Sequence, residues 1–307
     1  MSERFAAIDV GTNSVLLLVA ERGADGRFVA VDEALEMTRL GEGVDRTRRL
    51  TERAIEETVA AVRAFAERAR RLGAAQIAVV STSAARDAEN GAEFLRRLRD
   101  EAGVQVEILS GEDEAALTYA SAASDFGPGP LWAIDVGGGS TELIGGEDGA
   151  IRFCRSFDVG AVRLTERYIA SDPPAPEELG RVEETLRAVF SALPALERGT
   201  KLVGIAGTVT TLCALWLGLD AYDGRRVHGQ RMPIGAVEEL ERRLAAMPLE
   251  ERQQFPGLPR RRADVIVAGA TILRVAMQVL GFSEVIVSDK GVRWGLLEAR
   301  FGRATRA

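Results

Sequence analysis

The sequence predicts an α/β protein built as two similar halves that face each other across a cleft. Three observations lead there. A short apolar strand that ends in aspartate and runs into a glycine turn occurs twice, as AIDVGTNSVLLLV at 7–19 and AIDVGGGSTELIG at 133–145. Each copy leads into a third strand pattern and then into mixed strand and helix patterns, a duplication of architecture with little identity outside the turn. The GPGP run at 127–130 is the sharpest break in the chain and directly precedes the second copy. A chain of 307 residues divides naturally into two domains. They are drawn at 1–126 and 127–307, with a final helix at about 290–307 free to pack back onto the first.

The elements follow in order. Apolar runs at 5–10 and 14–20, separated by Gly11, Thr12 and Asn13, read as a hairpin, and RFVAVDEALEM (27–37) as a third strand. LGEGVDRTRRL (40–50) reads as a polar loop. Thr51 is a good N-cap for a helix to about Arg71, with Ile55, Val59, Val62 and Phe65 at helical spacing. QIAVVS (76–81) is a strand, the stretch 83–103 contains a helix ended by Gly103, VEIL (106–109) is a strand, and a helix starts near Ser110. After the break, three strands are expected over 131–157 and helices near 160–170 and 176–192, parted by DPPAP. KLVGIAG (201–207) is a strand entering the helix TVTTLCALWLG. Helices near 235–246 and 263–280, the strand VIVS (285–288) and a helix over about 291–301 complete the pattern.

Composition is that of a globular protein, 46% hydrophobic and 28% charged, with 32 glycines. A net charge of −7 argues against DNA and membrane surfaces as partners. It does not bear on one local anion site, for which DRTRR (45–49) and PRRR (259–262) are candidate basic runs, although such runs are mostly solvated faces. No leader segment and no bilayer-length apolar run is apparent. Cys154 and Cys213 sit in apolar contexts without metal spacing, which fits small buried residues in a reduced cytoplasm.

The repeated turn carries the chemistry. Gly137, Gly138 and Gly139 lack a Cβ, so their amides can approach a bulky anion, and Ser140 and Thr141 add hydroxyls. Asp135 ends the strand, where its carboxylate could hold a divalent cation or a metal-bound water. In the first copy Gly11, Thr12, Asn13 and Ser14 are the donors and Asp9 the acid. Two such turns facing each other would grip a phosphate chain with a metal between the acids. Either turn alone is explained by the liking of glycine and asparagine for hairpins. Two copies with aspartate at one offset are not. A third turn, GIAGTVTTL (204–212), leaves a strand to open a helix and offers Gly207 and Thr208 to an anion. There is no GxxxxGK[ST] loop, and 137–142 lacks the third glycine of a dinucleotide fingerprint.

These residues resemble the exopolyphosphatase and guanosine pentaphosphate phosphatase family, within the acetate kinase, sugar kinase, Hsp70 and actin superfamily. The resemblance runs through nearly the whole chain: AIDVGTNSVLLLVAE, TRLGEGV, VVSTSAARDAENG, EILSGEDEAALTY, AIDVGGGSTELI, GIAGTVTTL, FPGLPRRRADVIVAGATIL and SDKGVRWGLL. It is to the short members, without extra helical domains. Ala206 stands where glycine is frequent and Trp294 where glutamate is common. The resemblance implies two ribonuclease H-like (actin-like ATPase) domains flanking an interdomain cleft. It also implies Mg²⁺-dependent hydrolysis of a terminal phosphoanhydride, other divalent cations being admitted. Glu114, by its place in SGEDEA, matches the catalytic glutamate that activates water. Asp135 and Glu142 match essential acids, with Asp9, Asp135 and Glu142 as the metal set. Asn13 and Arg86 match phosphate-contacting residues. Without the resemblance, Glu114 reads as a solvated first-turn glutamate favouring the helix dipole, and Arg86 as a surface arginine. His228, the only histidine, receives no role.

The expected substrate is inorganic polyphosphate, with guanosine pentaphosphate as the alternative. Arg39, Arg46, Arg48, Arg49 and Arg260–Arg262 are a candidate basic track for the longer polyanion. An ATP-using kinase or ATPase of the superfamily is a more distant alternative, and a noncatalytic sensor of polyphosphate or an alarmone is a third class, for which a base at 114 would have no use. Family members commonly dimerise, which admits a homodimer here without requiring one.

Overall fold

The computed structural model describes residues 3–194, 196–197 and 199–302. Its contacts divide the chain into two compact units, one running to Ser121 and resuming at Val292, the other Ala122–Gly291. The division falls inside a helix, ahead of the GPGP run. Of the helix expected over 290–307, residues 303–307 lie outside the described residues.

The first unit is built on β1 (Arg4–Val10), β2 (Val15–Arg22) and β3 (Phe28–Glu36), followed by α1 (Val44–Thr47), α2 (Glu52–Arg71), β4 (Ala74–Ser81), α3 (Ser83–Asp87), α4 (Gly91–Ala102), β5 (Val106–Ile108) and α5 (Gly111–Phe126). The sheet order is β3-β2-β1-β4-β5, with β1, β4 and β5 parallel and the hairpins antiparallel. Alternation along β1 separates two cores. Ala6, Ile8 and Val10 pack with Ile55, Val59 and Val62 of α2, while Phe5 and Ala7 pack on the other face. α2 forms as its spacing predicts, and the Thr51 hydroxyl accepts from the Ala54 amide at 3.2 Å.

One local expectation fails here and another is incomplete. The 40–50 stretch is not all loop, since α1 forms within it between the left-handed residues Gly43 and Arg48. The stretch after β4 holds two helices, not one. The chain leaves helical geometry at Ala88, and the Asn90 side chain is drawn to Leu50, accepting from its amide at 2.9 Å and donating to its carbonyl at 3.0 Å. Gly103 ends α4 at φ +64°, as expected.

The second unit repeats the pattern with β6 (Pro130–Val136), β7 (Thr141–Glu147), β8 (Ala150–Phe157), α6 (Ala161–Tyr168), α7 (Pro176–Phe190), β9 (Lys201–Ile205) and α8 (Ala206–Trp216). It continues through α9 (Gly224–Val227), β10 (Arg231–Pro233), α10 (Ile234–Ala245), α11 (Leu249–Arg252), α12 (Ile266–Leu280) and β11 (Glu284–Val287). The order is β10-β11-β9-β6-β7-β8, with β6, β9 and β11 parallel. α12 is buried along most of its length and forms the centre of this core. The three-residue edge strand β10 and the single-turn helices α9 and α11 are too short to carry a period. Cys213 is buried as expected, but Cys154 is only partly so, and both are free thiols.

The last helix, α13 (Val292–Phe301), belongs to the first unit and packs on β1, with Trp294 and Leu297 against Phe5 and Ala7. Among the described residues no helix is long and apolar enough to cross a membrane.

The approach of α13 to α5 depends on Gly295. A Cβ there would lie 2.0 Å from the Leu117 carbonyl oxygen, and backbone cannot yield as a flexible side chain does. Gly295→Ala is expected to lower the unfolding free energy by about 1–3 kcal/mol in urea denaturation. Wild-type stability in that variant would contradict the packing described.

Candidate active site

In each unit the glycine turn sits at the carboxyl ends of parallel strands, where open α/β sheets gather ligands. In the first unit β1 ends in the turn Gly11–Ser14, β4 in Thr82 and α3, and β5 in Leu109 and α5. The Gly11 amide donates to the Ser14 carbonyl at 2.9 Å, the Thr82 amide to the Val10 carbonyl at 3.2 Å, and the hydroxyls of Thr12 and Ser83 are 2.8 Å apart. Gly41 seats against the turn so closely that a Cβ would fall 2.2 Å from Thr12 Cγ2.

Asp9 lies on the β1 face shared with Phe5 and Ala7. Its Oδ1 is buried without a hydrogen-bond partner, and so is Oδ1 of Asn13. Burial pushes the Asp9 carboxyl from its ordinary 3.8 up to about 6, against the pull of the Arg293 guanidinium. An orphaned carboxylate oxygen beside an anion-sized turn suits a hard cation or its water.

Glu114 is not the solvated glutamate that helix position alone suggests. Glu112 and Asp113 beside it are exposed, while Glu114 is 8% exposed. Its Oε2 lies 3.5 Å from Nη1 of Arg86, which also donates to the Leu109 carbonyl at 2.8 Å. The Ser110 hydroxyl accepts from the Asp113 amide at 3.1 Å and fixes this first turn of α5.

The second unit has the same turn. The Gly137 amide donates to the Ser140 carbonyl at 3.1 Å. Cross-strand pairing sets Asp135 opposite Glu142, and Glu142 opposite Ser156, whose hydroxyl donates to Glu142 Oε1 at 2.6 Å. Both acids are buried. The corresponding row in the first unit is Asp9, Leu16 and Leu35, so the paired acids belong to the second copy alone. The Thr141 hydroxyl donates to the Val159 carbonyl and the Thr12 hydroxyl is bonded with that of Ser83, so both are engaged within the fold.

The third turn stands beside the second, because β9 pairs with β6 up to Asp135 opposite Ile205. Ala206 is held at φ +68°, where glycine is at ease and any other residue is strained by roughly 1–2 kcal/mol. Thr208 is buried with its side chain against Gly269 of α12, so Gly207 and the backbone are what this turn presents.

One residue here was seen in the sequence only as part of a basic run. Arg262 is buried, and its guanidinium lies on Gly207 so tightly that a Cβ there would be 1.8 Å from Nη1. Its Nε has no partner, Nη1 reaches the Thr211 hydroxyl at 3.4 Å, and burial lowers its pKa to about 10. A buried cation without a close carboxylate among the described residues, at a glycine turn, is suited to an anionic ligand. The PRRR run is therefore not a uniformly solvated track. His228 is built into the second unit, with Nδ1 accepting from the Asp289 amide at 3.3 Å and Nε2 3.6 Å from Asp125; burial lowers its pKa.

Each unit thus assembles its own share of the predicted residues: Asp9, Gly11–Ser14, Arg86 and Glu114 in one, Asp135, Gly137–Glu142, Gly207 and Thr208 in the other. Among the described residues, no three His, Cys, Asp or Glu side chains converge as a complete metal cage.

Known proteins match this chain along its length. A profile of the Ppx/GppA phosphatase family matches residues 18–303. Exopolyphosphatase 2 of Mycobacterium tuberculosis is 36% identical over 311 residues, covering 95% of this chain and 97% of the relative. Exopolyphosphatase 1 of Mycobacterium leprae is 30% identical, covering 96% and 88%. The crystal structure of the Aquifex aeolicus Ppx/GppA family member superposes with a TM-score of 0.84 at 33% identity, covering 100% of both chains.

The buried acid in the first turn has a consequence for stability. The native state holds the Asp9 proton more tightly than the unfolded chain does. Its contribution therefore favours folding below about pH 3.8 and is lost as pH rises through about 6. Above that the ionised carboxylate costs roughly 3 kcal/mol. Asp9→Asn is expected to raise the denaturation free energy at pH 7.5 by about 1–3 kcal/mol, with a much smaller gain at pH 4.5. Equal destabilisation at both pH values would contradict the assignment.

Proposed function

This chain belongs to the Ppx/GppA phosphatase family, and from that premise we propose that it is a cytoplasmic exopolyphosphatase. It removes orthophosphate from the end of inorganic polyphosphate by attack of a water activated at Glu114. The observation that carries the reading is the matched construction of the two glycine turns. Each has its carbonyls tied within the fold, an aspartate at the strand end and a first peptide closed by the fourth residue. A phosphate chain presents anionic oxygens on every phosphorus, and two such turns acting on one phosphoryl group match that ligand. The mycobacterial relatives that cover nearly the whole chain are named exopolyphosphatases, which supports polyphosphate over other phosphoanhydrides. Guanosine pentaphosphate is the alternative substrate within the same family.

In this mechanism the Glu114 carboxylate accepts a proton from water as the water oxygen bonds to the terminal phosphorus. The anhydride P–O bond breaks, and the shortened chain leaves with its electron pair. A positioned base of this kind contributes about 10²–10⁴-fold. Amides of Thr12–Ser14 and Gly138–Ser140, with Arg86 and Arg262, offset charge on the transferring oxygens. Asp9, Asp135 and Glu142 supply oxygen ligands that fit Mg²⁺, which when bound would neutralise phosphoryl charge.

Glu114→Gln is the direct test. It is expected to lower kcat for polyphosphate by at least about 100-fold while changing tripolyphosphate binding by less than about threefold. Full activity in this variant removes Glu114 from its role. The same phosphate-release assay with long polyphosphate, guanosine pentaphosphate and ATP side by side tests the substrate, and preferential turnover of either nucleotide overturns the polyphosphate assignment.

A further inference from the structure

One buried side chain at the second turn takes part in none of the chemistry above. Aligning the two copies on Asp9 and Asp135 makes Thr12 equivalent to Gly138 and Asn13 to Gly139. In the first copy both carbonyls are held by backbone: Thr12 accepts from the Gly41 amide at 2.8 Å and Asn13 from the Arg39 amide at 3.1 Å. Arg39 reaches that position in a left-handed conformation at φ +54°.

The second copy is held by α6. The Gly137 carbonyl accepts from the Ala161 amide at 2.9 Å, and the Gly138 carbonyl from the amides of Val162 at 2.9 Å and Arg163 at 3.1 Å. The Gly139 carbonyl is taken by a side chain: Arg163 Nε donates to it at 2.7 Å. This guanidinium stands where the first copy uses the Arg39 backbone amide. Arg163 is 8% exposed. Gly160 allows the close seating of α6, since a Cβ there would lie 2.4 Å from the Gly138 carbonyl oxygen.

Peptide geometry turns this bracing into function. In a trans peptide the N–H points opposite to the C=O. Tying the carbonyls of Gly137, Gly138 and Gly139 toward α6 therefore aims the amides of Gly138, Gly139 and Ser140 the other way, as an oriented row suited to anions. A run of glycines has the greatest freedom to lose that orientation. The first two peptides are fixed by the helix backbone, whatever the side chains. The last is fixed by Arg163.

We propose that Arg163 is a positioning residue whose guanidinium fixes the Gly139–Ser140 peptide, so that the Ser140 amide is presented to a phosphoryl oxygen. The inference rests on the reading of this turn as a phosphate cradle.

The test is a titration of isotope-labelled wild type, Arg163→Met and Arg163→Leu with tripolyphosphate, followed at the amide signals of Gly138, Gly139 and Ser140. Leu likewise offers no donor to the Gly139 carbonyl, and serves if Met impairs folding. In wild type all three amides respond. In either variant the Ser140 response is expected to collapse while that of Gly138 persists, and tripolyphosphate affinity to fall about tenfold, the loss of one well-placed hydrogen bond to an anion. An unchanged Ser140 response, or equal loss at Gly138 and Ser140, overturns the assignment; the second result would mark Arg163 as a general fold residue. Phosphate release is measured on the same wild-type sample. Binding at these amides without hydrolysis of polyphosphate would contradict the hydrolase reading and leave the Arg163 result standing.

Discussion

The constraint on which the rest of this structure depends is the tying back of backbone carbonyls behind each glycine turn. A glycine-rich loop is not an anion site by composition. It becomes one when its peptides are held with their amides on one side, and glycine resists being held. Here the holding groups come from distant stretches of sequence: Gly41 and Arg39 behind the first turn, and the first residues of α6 behind the second. Close approach requires the absence of side chains at Gly41 and Gly160. The strand ends fix where each turn begins, and the braces fix which way it faces.

The two copies share this frame and differ in chemistry. Across the first, the row from the aspartate runs through Leu16 and Leu35; across the second it runs through Glu142 and Ser156. The second copy thus concentrates acidity, while the first unit contributes the buried Glu114 and its arginine. Groups that are costly to bury gather around both turns: Asp9 and Asn13 with orphaned oxygens, Arg262 with an orphaned Nε, and Ala206 in a conformation made for glycine. Each loosens the fold a little. Their clustering at the turns is what a site built for an ionic ligand requires.

Much of this was legible in the sequence, for physical reasons. Strand alternation in 5–10 and 131–136, helical spacing in 52–71 and the Thr51 cap are local signals, and the elements formed where they pointed. The repeated acid-glycine turn was legible because its chemistry is contiguous. What escaped depends on contacts between remote segments. The 83–103 stretch splits because Asn90 is recruited by Leu50, and Arg262 looks like one more solvated arginine until its guanidinium is seen on Gly207. Arg163 carries no signal of its own in VRLTERY, since its partner is a carbonyl in another element. Glu114 needed family resemblance, because burial and the Arg86 contact cannot be read from a helix's acidic first turn.

The proposed function has the two separately braced turns act on one phosphoryl group. A double-mutant cycle tests it most directly: kcat/KM for polyphosphate in Asn13→Ala, Ser140→Ala and the double variant. Residues that serve the same transition-state oxygens are coupled, and the account predicts an interaction energy of about 1 kcal/mol or more. Effects that add to within about 0.5 kcal/mol would show the two turns acting independently and would contradict it.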